Sequence, residues 1–172
     1  MNIRIGNGFD IHRFSDDPTR PLVLGGVTID GGGGLLGHSD ADVLTHAVAE
    51  ALLGAAGLGD LGSHFPDTDE RFAGAVSTDL LAEVVTLVAS DGWSVANVDC
   101  SVVAERPKLA DRRVEMQERL SAIVGAPVTV KGRRAEGIGG LGRGEGIACL
   151  ASALLVGADD AGAPATGQEV SP

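Results

Sequence analysis

Helical and extended patterns alternate along this chain, and that alternation narrows the fold more than any other feature, because successive strands and helices build a sheet covered by helices. Residues 3–13, 20–29, 94–105, 127–133 and 145–157 read as extended, the second segment broken at Gly25-Gly26. In the third, Val95, Val98, Cys100 and Val102 are only partly in phase for a strand. Between them, "SDADVLTHAVAEALLGAAG" predicts a helix from Ser39, with Ser39 or Asp40 as N-cap, acids in the first turn, and Gly54 and Gly57 near its end. Val43, Leu44, Ala47, Val48, Ala51 and Leu52 give it an apolar stripe. A second helix is expected over 77–92, capped by Ser77 and stopped by Gly92, and a third over 106–125, opened by Pro107 and closed by Gly125. Residues 57–74, rich in Gly, Asp and Pro, read as a loop, as does the glycine run at 30–34. The expectation is one α/β domain over 1–157, an α+β sandwich with a mixed sheet on about three helices. The small, acidic stretch 158–172 is expected to be a disordered tail.

Composition then limits the partners. Aromatics make up 3% of the 172 residues and Tyr is absent, so Val, Leu, Ile and Ala must build the core. A formal charge of −11 argues against tracking a nucleic-acid backbone, which needs a basic stripe. A small phosphorylated ligand held by metal ions and local cations remains compatible with it. Cys100 and Cys149 carry no pairing motif and read as buried thiols of a reducing compartment. With no leader-like opening and no apolar run near the length of a membrane span, the expected location is the cytoplasm, with no membrane partner.

Several groupings could carry chemistry. In "GFDIHRF", Asp10 and His12 are two apart and share one face of a strand, either as a polar outer face or as half of a metal site. On the first helix, Asp42 and His46 are four apart and share a face, and His38 precedes the helix start, where free amides suit an anion. Asp10, His12 and His46 match the count of a catalytic zinc site, three ligands with one open position. Asp60, Asp67 and Asp69 cluster in "GDLGSHFPDTDERF", as a solvated acidic turn or as a grip on ligand hydroxyls. Lys108 in "AERPKL" follows a strand, where a base or phosphate could sit. "GLGRGEG" matches neither phosphate-loop pattern, and no H-E-x-x-H helix supports a zinc hydrolase.

Taken in order, "RIGNGFDIHRF", "GHSDADVLTHAVAEALLGAAGLGDLG", "FPDTD", "NVD", "AERPK" and "GRGEGIA" resemble the 2-C-methyl-D-erythritol 2,4-cyclodiphosphate synthase family of the non-mevalonate isoprenoid pathway. The resemblance implies zinc on Asp10, His12 and His46. It implies a homotrimer with active sites between subunits around an axial cavity, and a cytidine diphosphate substrate that cyclises with loss of CMP. It assigns His38, with Ser39 beside it, to the substrate phosphate, and Asp60 and Gly62 to the methylerythritol hydroxyls. Phe65, Asp67 and Asp69 belong to the loop closing over the sugar alcohol. Ala104, Pro107, Lys108 and Leu109 belong to the cytosine pocket. Glu136 would help hold a second divalent ion, Mg²⁺ or Mn²⁺, on the diphosphate, and Arg143 would meet an anion at the mouth of the axial cavity. One departure stands out. Where the family carries a threonine run, this chain has Arg133, Arg134 and Ala135, and Gly140 replaces a bulky residue. A guanidinium at Arg134 or Arg133 can serve a phosphate electrostatically. The competing expectation is a trimeric homologue that binds zinc and isoprenoid or cytidine phosphates without efficient turnover.

Overall fold

A computed structural model describes residues 2–31 and 33–157, so the expectation for 158–172 lies outside the described residues. Four strands form the main sheet: β1 (Ile3–Arg13), β4 (Trp93–Val103), β5 (Val128–Arg133) and β6 (Gly146–Gly157). Their order is β1-β6-β4-β5. β6 runs antiparallel to both β1 and β4, and β4 and β5 are parallel. A parallel pair needs a crossover, and α4 (Arg113–Val124) provides it. The sheet is therefore mixed, and helices cover one of its faces.

The segment 20–29 forms a separate hairpin, β2 (Leu22–Leu24) and β3 (Val27–Ile29). Its turn residues Gly25 and Gly26 have φ of 59° and 70°, the paired positive values of the hairpin turn that suits strand twist. Both glycine amides donate to the Asp42 carboxylate, at 2.9 and 2.7 Å.

Helix α1 (Val43–Ala56) lies against β1 at backbone distance. A Cβ on Gly8 would stand 2.0 Å from the Ala47 carbonyl oxygen, and one on Gly6 2.1 Å from that of Ala51. Only glycine on the strand and alanine on the helix permit this approach. Gly6 and Gly8 share their strand face with Asp10 and His12. The face carrying the carboxylate and imidazole is thus turned toward the helix, not outward. The opposite face is the exposed one, and it is apolar: Ile3, Ile5, Phe9 and Ile11 on β1 and Leu150 on β6, with Ile5 70% exposed.

Helix boundaries differ from the sequence expectation in ways that matter for the site. Asp42, not Ser39 or Asp40, caps α1 by accepting from Thr45 N, and the first turn holds no acid. Asp42 is fully buried among the hairpin amides and the Thr45 hydroxyl, so it does not share a working face with His46. Ser77 is the first residue of α3 (Ser77–Ser90) and not its cap; Asp40 accepts its amide from across the fold. α4 starts only at Arg113; before it, Ala104, Glu105 and Pro107 to Ala110 wall a cavity, and Leu109 turns into the core. The loop over 57–74 contains a helical turn, α2 (Leu61–His64), and a 3₁₀ turn at Glu70–Phe72. A further short turn, α5 (Gly139–Gly142), precedes β6. A bulge between Val95 and Asn97 accounts for the broken phase on β4: beyond it Val98, Cys100 and Val102 are fully buried. The core is aliphatic, with Leu22, Leu44, Leu52, Leu81, Leu120 and Ile147 sealed from solvent, and Cys100 and Cys149 are buried free thiols within it. Among the described residues, no helix is long and apolar enough to cross a membrane.

Candidate active site

Because α1 rests directly on the glycines of β1, His46 reaches the same patch as Asp10 and His12. Asp10 Oδ2 lies 3.0 Å from His12 Nε2 and 3.0 Å from His46 Nδ1. One donor atom from each residue falls within 4.8 Å of the other two. Burial alone would push the Asp10 carboxyl up, but hydrogen bonds and positive charge from His12 and His46 outweigh it, and the group sits well below the usual carboxylate range. Burial likewise opposes the charged form of His12, yet the Asp10 hydrogen bond and charge prevail, helped by the Leu36 carbonyl, and its pKa is raised.

The outer nitrogens decide whether this set suits a metal. His12 Nδ1 is 2.7 Å from the Leu36 carbonyl, which can only accept, so Nδ1 carries hydrogen and Nε2, on the Asp10 side, is the nitrogen a metal would take. His46 Nε2 lies 2.8 Å from Ser77 Oγ and 3.2 Å from Ser39 Oγ, leaving Nδ1 toward Asp10. One carboxylate oxygen and two imidazole nitrogens, oriented by partners behind them, are a fitting donor set for a divalent ion such as zinc.

Arg20 holds the segment in front of the triad. Its guanidinium donates to the carbonyls of Leu35, Gly37 and Ser39, at 2.5, 3.2 and 2.5 Å. Ala41 follows in the left-handed region at φ 57°, a conformation that turns Asp40 and Asp42 toward different partners. The sequence reading passed over Arg20, Asp40 and Ser77. Arg20 acts on backbone carbonyls, and the other two read as helix caps, so no spacing signal marked them.

A cavity of about 310 Å³ opens beside the triad, lined by His12, His38, Ser39, His46, Phe65 and Asp67 among others. His38 lies five residues before the helix begins, so it faces this cavity without belonging to a helix N-terminus. Asp60, Gly62 and Asp69 lie outside the lining. Asp60 caps α2 through Ser63, and Asp69 caps the 3₁₀ turn and pairs with Arg71 at 2.6 Å. A second cavity, of about 350 Å³, gathers Ala104, Pro107, Lys108, Leu109, Arg133 and Arg134, and adds Arg113. Glu136 and Arg143 line neither. Glu136 is exposed at φ 51°, and Arg143 pairs with Glu145 at 2.6 Å.

The two cavities share no residue. They sit at the same end of the sheet, since Val103 is level with Ala148 and Ile11, but at its two opposite edges. Three inter-strand steps put those edges about 14 Å apart.

The YgbB family profile matches residues 3–156, which span both cavities and every element between them. The chain belongs to the YgbB family. Its relatives carry the name 2-C-methyl-D-erythritol 2,4-cyclodiphosphate synthase; the one from Thermosynechococcus vestitus is 53% identical over 158 residues, 90% of this chain and 97% of that protein. The bifunctional IspDF of Campylobacter jejuni matches with a TM-score of 0.85 and 43% identity over 90% of this chain, which spans 42% of that longer protein. The Plasmodium falciparum IspF CDP complex matches with a TM-score of 0.78 and 32% identity, over 91% of this chain and 97% of that one. As a YgbB member the chain is a lyase-class cyclodiphosphate synthase of isoprenoid biosynthesis, and these relatives do not favour the reading of a binding protein without turnover.

Proposed function

We propose that this chain cyclises 4-diphosphocytidyl-2-C-methyl-D-erythritol 2-phosphate. An oxygen of the 2-phosphate attacks the diphosphate phosphorus that carries methylerythritol, the bond from that phosphorus to the bridging oxygen breaks, and CMP leaves with the oxygen. An ionised phosphate needs no base to attack, so the protein's task is to align two mutually repelling anions and neutralise them. The single observation that carries the reading is the convergence of Asp10, His12 and His46 beside a cavity that also presents His38 and Ser39. When bound there, a zinc ion or another divalent transition metal supplies Lewis-acid polarisation of a phosphate oxygen through its open position. His38 donates to the substrate phosphate. Phe65 and Asp67 bound the sugar-alcohol side, with Asp60, Gly62 and Asp69 shaping the loops behind it. Glu136 helps hold the Mg²⁺ or Mn²⁺ that accompanies the diphosphate.

Cytidine occupies the cavity walled by Ala104, Pro107, Lys108 and Leu109, with Arg133 and Arg134 at its phosphate side. Within one chain that cavity and the triad stand at opposite edges of the sheet, and the β1 and β6 outer face is apolar and exposed. Both features support a homotrimer in which one subunit's nucleotide cavity meets the next subunit's triad, with Arg143 near the axial opening. The free buried thiols support a cytoplasmic setting, and the negative charge supports no nucleic-acid partner.

The test is CMP release from the diphosphocytidyl substrate, run with metal analysis. Protein carrying about one divalent transition metal per chain should release CMP, lose the activity on chelation and regain it with Zn²⁺. Metal-replete protein that releases none would overturn the proposal.

A further inference from the structure

A row of polar side chains crosses the apolar outer face of the sheet. We infer that Asp99 and Lys131 in this row neutralise the face within each chain, so that it docks against a second copy. The inference rests on the proposal of sites shared between subunits, and it names what permits the sharing.

Strand register draws the row. Asn7 on β1 stands level with Ser152 on β6, Asp99 on β4 and Thr129 on β5. Their sequence neighbours Gly8, Ala151, Cys100 and Val130 are buried toward the helices, so these four point outward. Apolar pairs flank the row, Ile5 with Leu154 on one side and Phe9 with Leu150 on the other. Across these three levels, among the described residues, the face holds one acid, Asp99, and one base, Lys131. The polar groups are spent on one another. Ser152 Oγ donates to Asn7 Oδ1 at 3.0 Å, Thr129 Oγ1 donates to Asp99 Oδ1 at 2.6 Å, and Lys131 Nζ donates to Asp99 Oδ2.

In a lone chain this ion pair does little. Its side chains are 43% and 46% exposed, and a surface pair of that kind adds little to folding. Its effect appears on burial. The chain carries a formal charge of −11, so its copies repel, and the face through which they meet has to be neutral. Each copy brings the same charges to the contact. An acid unmatched in its own chain would be buried without a cation and would face its own repeats around the axis. A partner of different sequence is received by charge left bare for it to complement. Here both charges are matched within the chain, amid apolar surface that one chain leaves open.

Substitutions of similar shape separate charge from packing. Lys131→Gln leaves the Asp99 charge without a cation, and it should raise the concentration needed for assembly about 100-fold, as expected of a buried charge that has lost its partner. Lys131→Arg keeps the charge and should assemble like the wild type. Asp99→Asn leaves the lysine, whose long stem can carry the ammonium to water, so about 10-fold is expected. In the double variant the Asn amide can donate to the Gln oxygen and Thr129 keeps its acceptor; assembly should return to within about threefold of the wild type. Sedimentation over a range of concentrations reads assembly. Circular dichroism and thermal unfolding of the dissociated chains read the fold, which loss of a half-exposed pair should leave unchanged. The inference holds if Lys131→Gln dissociates where the wild type and the double variant stay assembled. A Lys131→Gln protein that assembles like the wild type overturns it, and so does a double variant that stays dissociated; both outcomes leave the shared-site proposal standing. A wild type that is monomeric at every concentration overturns the inference and the shared-site proposal together.

Discussion

Asp10 is two-sided: one oxygen faces both imidazoles at 3.0 Å, and the other accepts the neighbouring Ile11 amide at 2.8 Å. At this scale the sequence was informative about which residues matter and silent about what holds them. The spacing in "GFDIHRF" and the helical position of His46 nominated the triad. The carbonyls gathered by Arg20 and the hydroxyl of Ser77 left no trace, because neither a backbone acceptor nor a lone serine has a spacing signature. The departure from the family threonines is also a residue-scale matter. Arg133 and Arg134 stand on the lining of the cavity proposed for cytidine. If Arg134 replaces a hydroxyl with a charged donor, Arg134→Thr trades a charge-assisted hydrogen bond for a neutral one, a loss of about 1.4 kcal/mol or about tenfold in kcat/KM for CMP release. A faster Arg134→Thr enzyme would show that the arginine impairs the site.

Among the elements, the α1–β1 contact does most to build the site. Gly6 and Gly8 lower the strand surface so that Ala47, Ala51 and Ala55 can sit on it, and the neighbouring His46 comes down with them. Gly8→Ala would drive a methyl into a backbone carbonyl that cannot yield, so helix and strand must part. The expected cost is about 3 kcal/mol by thermal or denaturant unfolding, with a matching loss of bound zinc. A variant that unfolds and loads zinc like the wild type would mean that the contact is not what brings His46 to Asp10. The long strands and helices were legible here from periodicity, as was the break at Gly25-Gly26; that the break is a hairpin turn was not. Their starts were less so. Asp40, Asp42 and Ser77 are all good capping residues, and which amide each one serves depends on contacts 16 to 37 residues away in sequence.

For the whole molecule, the informative feature is the apolar outer face of β1 and β6, which one chain leaves open. Ile5, 70% exposed and five residues from Asp10, probes it without touching the triad. Ile5→Asp is expected to give monomers by sedimentation, to keep about one zinc per chain, and to lower CMP release on the order of 100-fold, since displaced reacting groups cost about that much. A monomer with full activity would dismiss the reading of sites shared between subunits. By itself, the sequence determined the layered α/β architecture, the aliphatic core and the residue types of the site, because periodicity, capping chemistry and side-chain chemistry are local properties. Only the tertiary structure decided that the Asp10 and His12 face turns inward, that His46 meets it, that Ser77 and Asp40 stand behind His46, and that the cavity around Lys108 and Arg133 lies at the far edge of the sheet. Those are distances between residues remote in sequence, set by how closely α1 can approach glycine on β1 and by the order in which the strands pair.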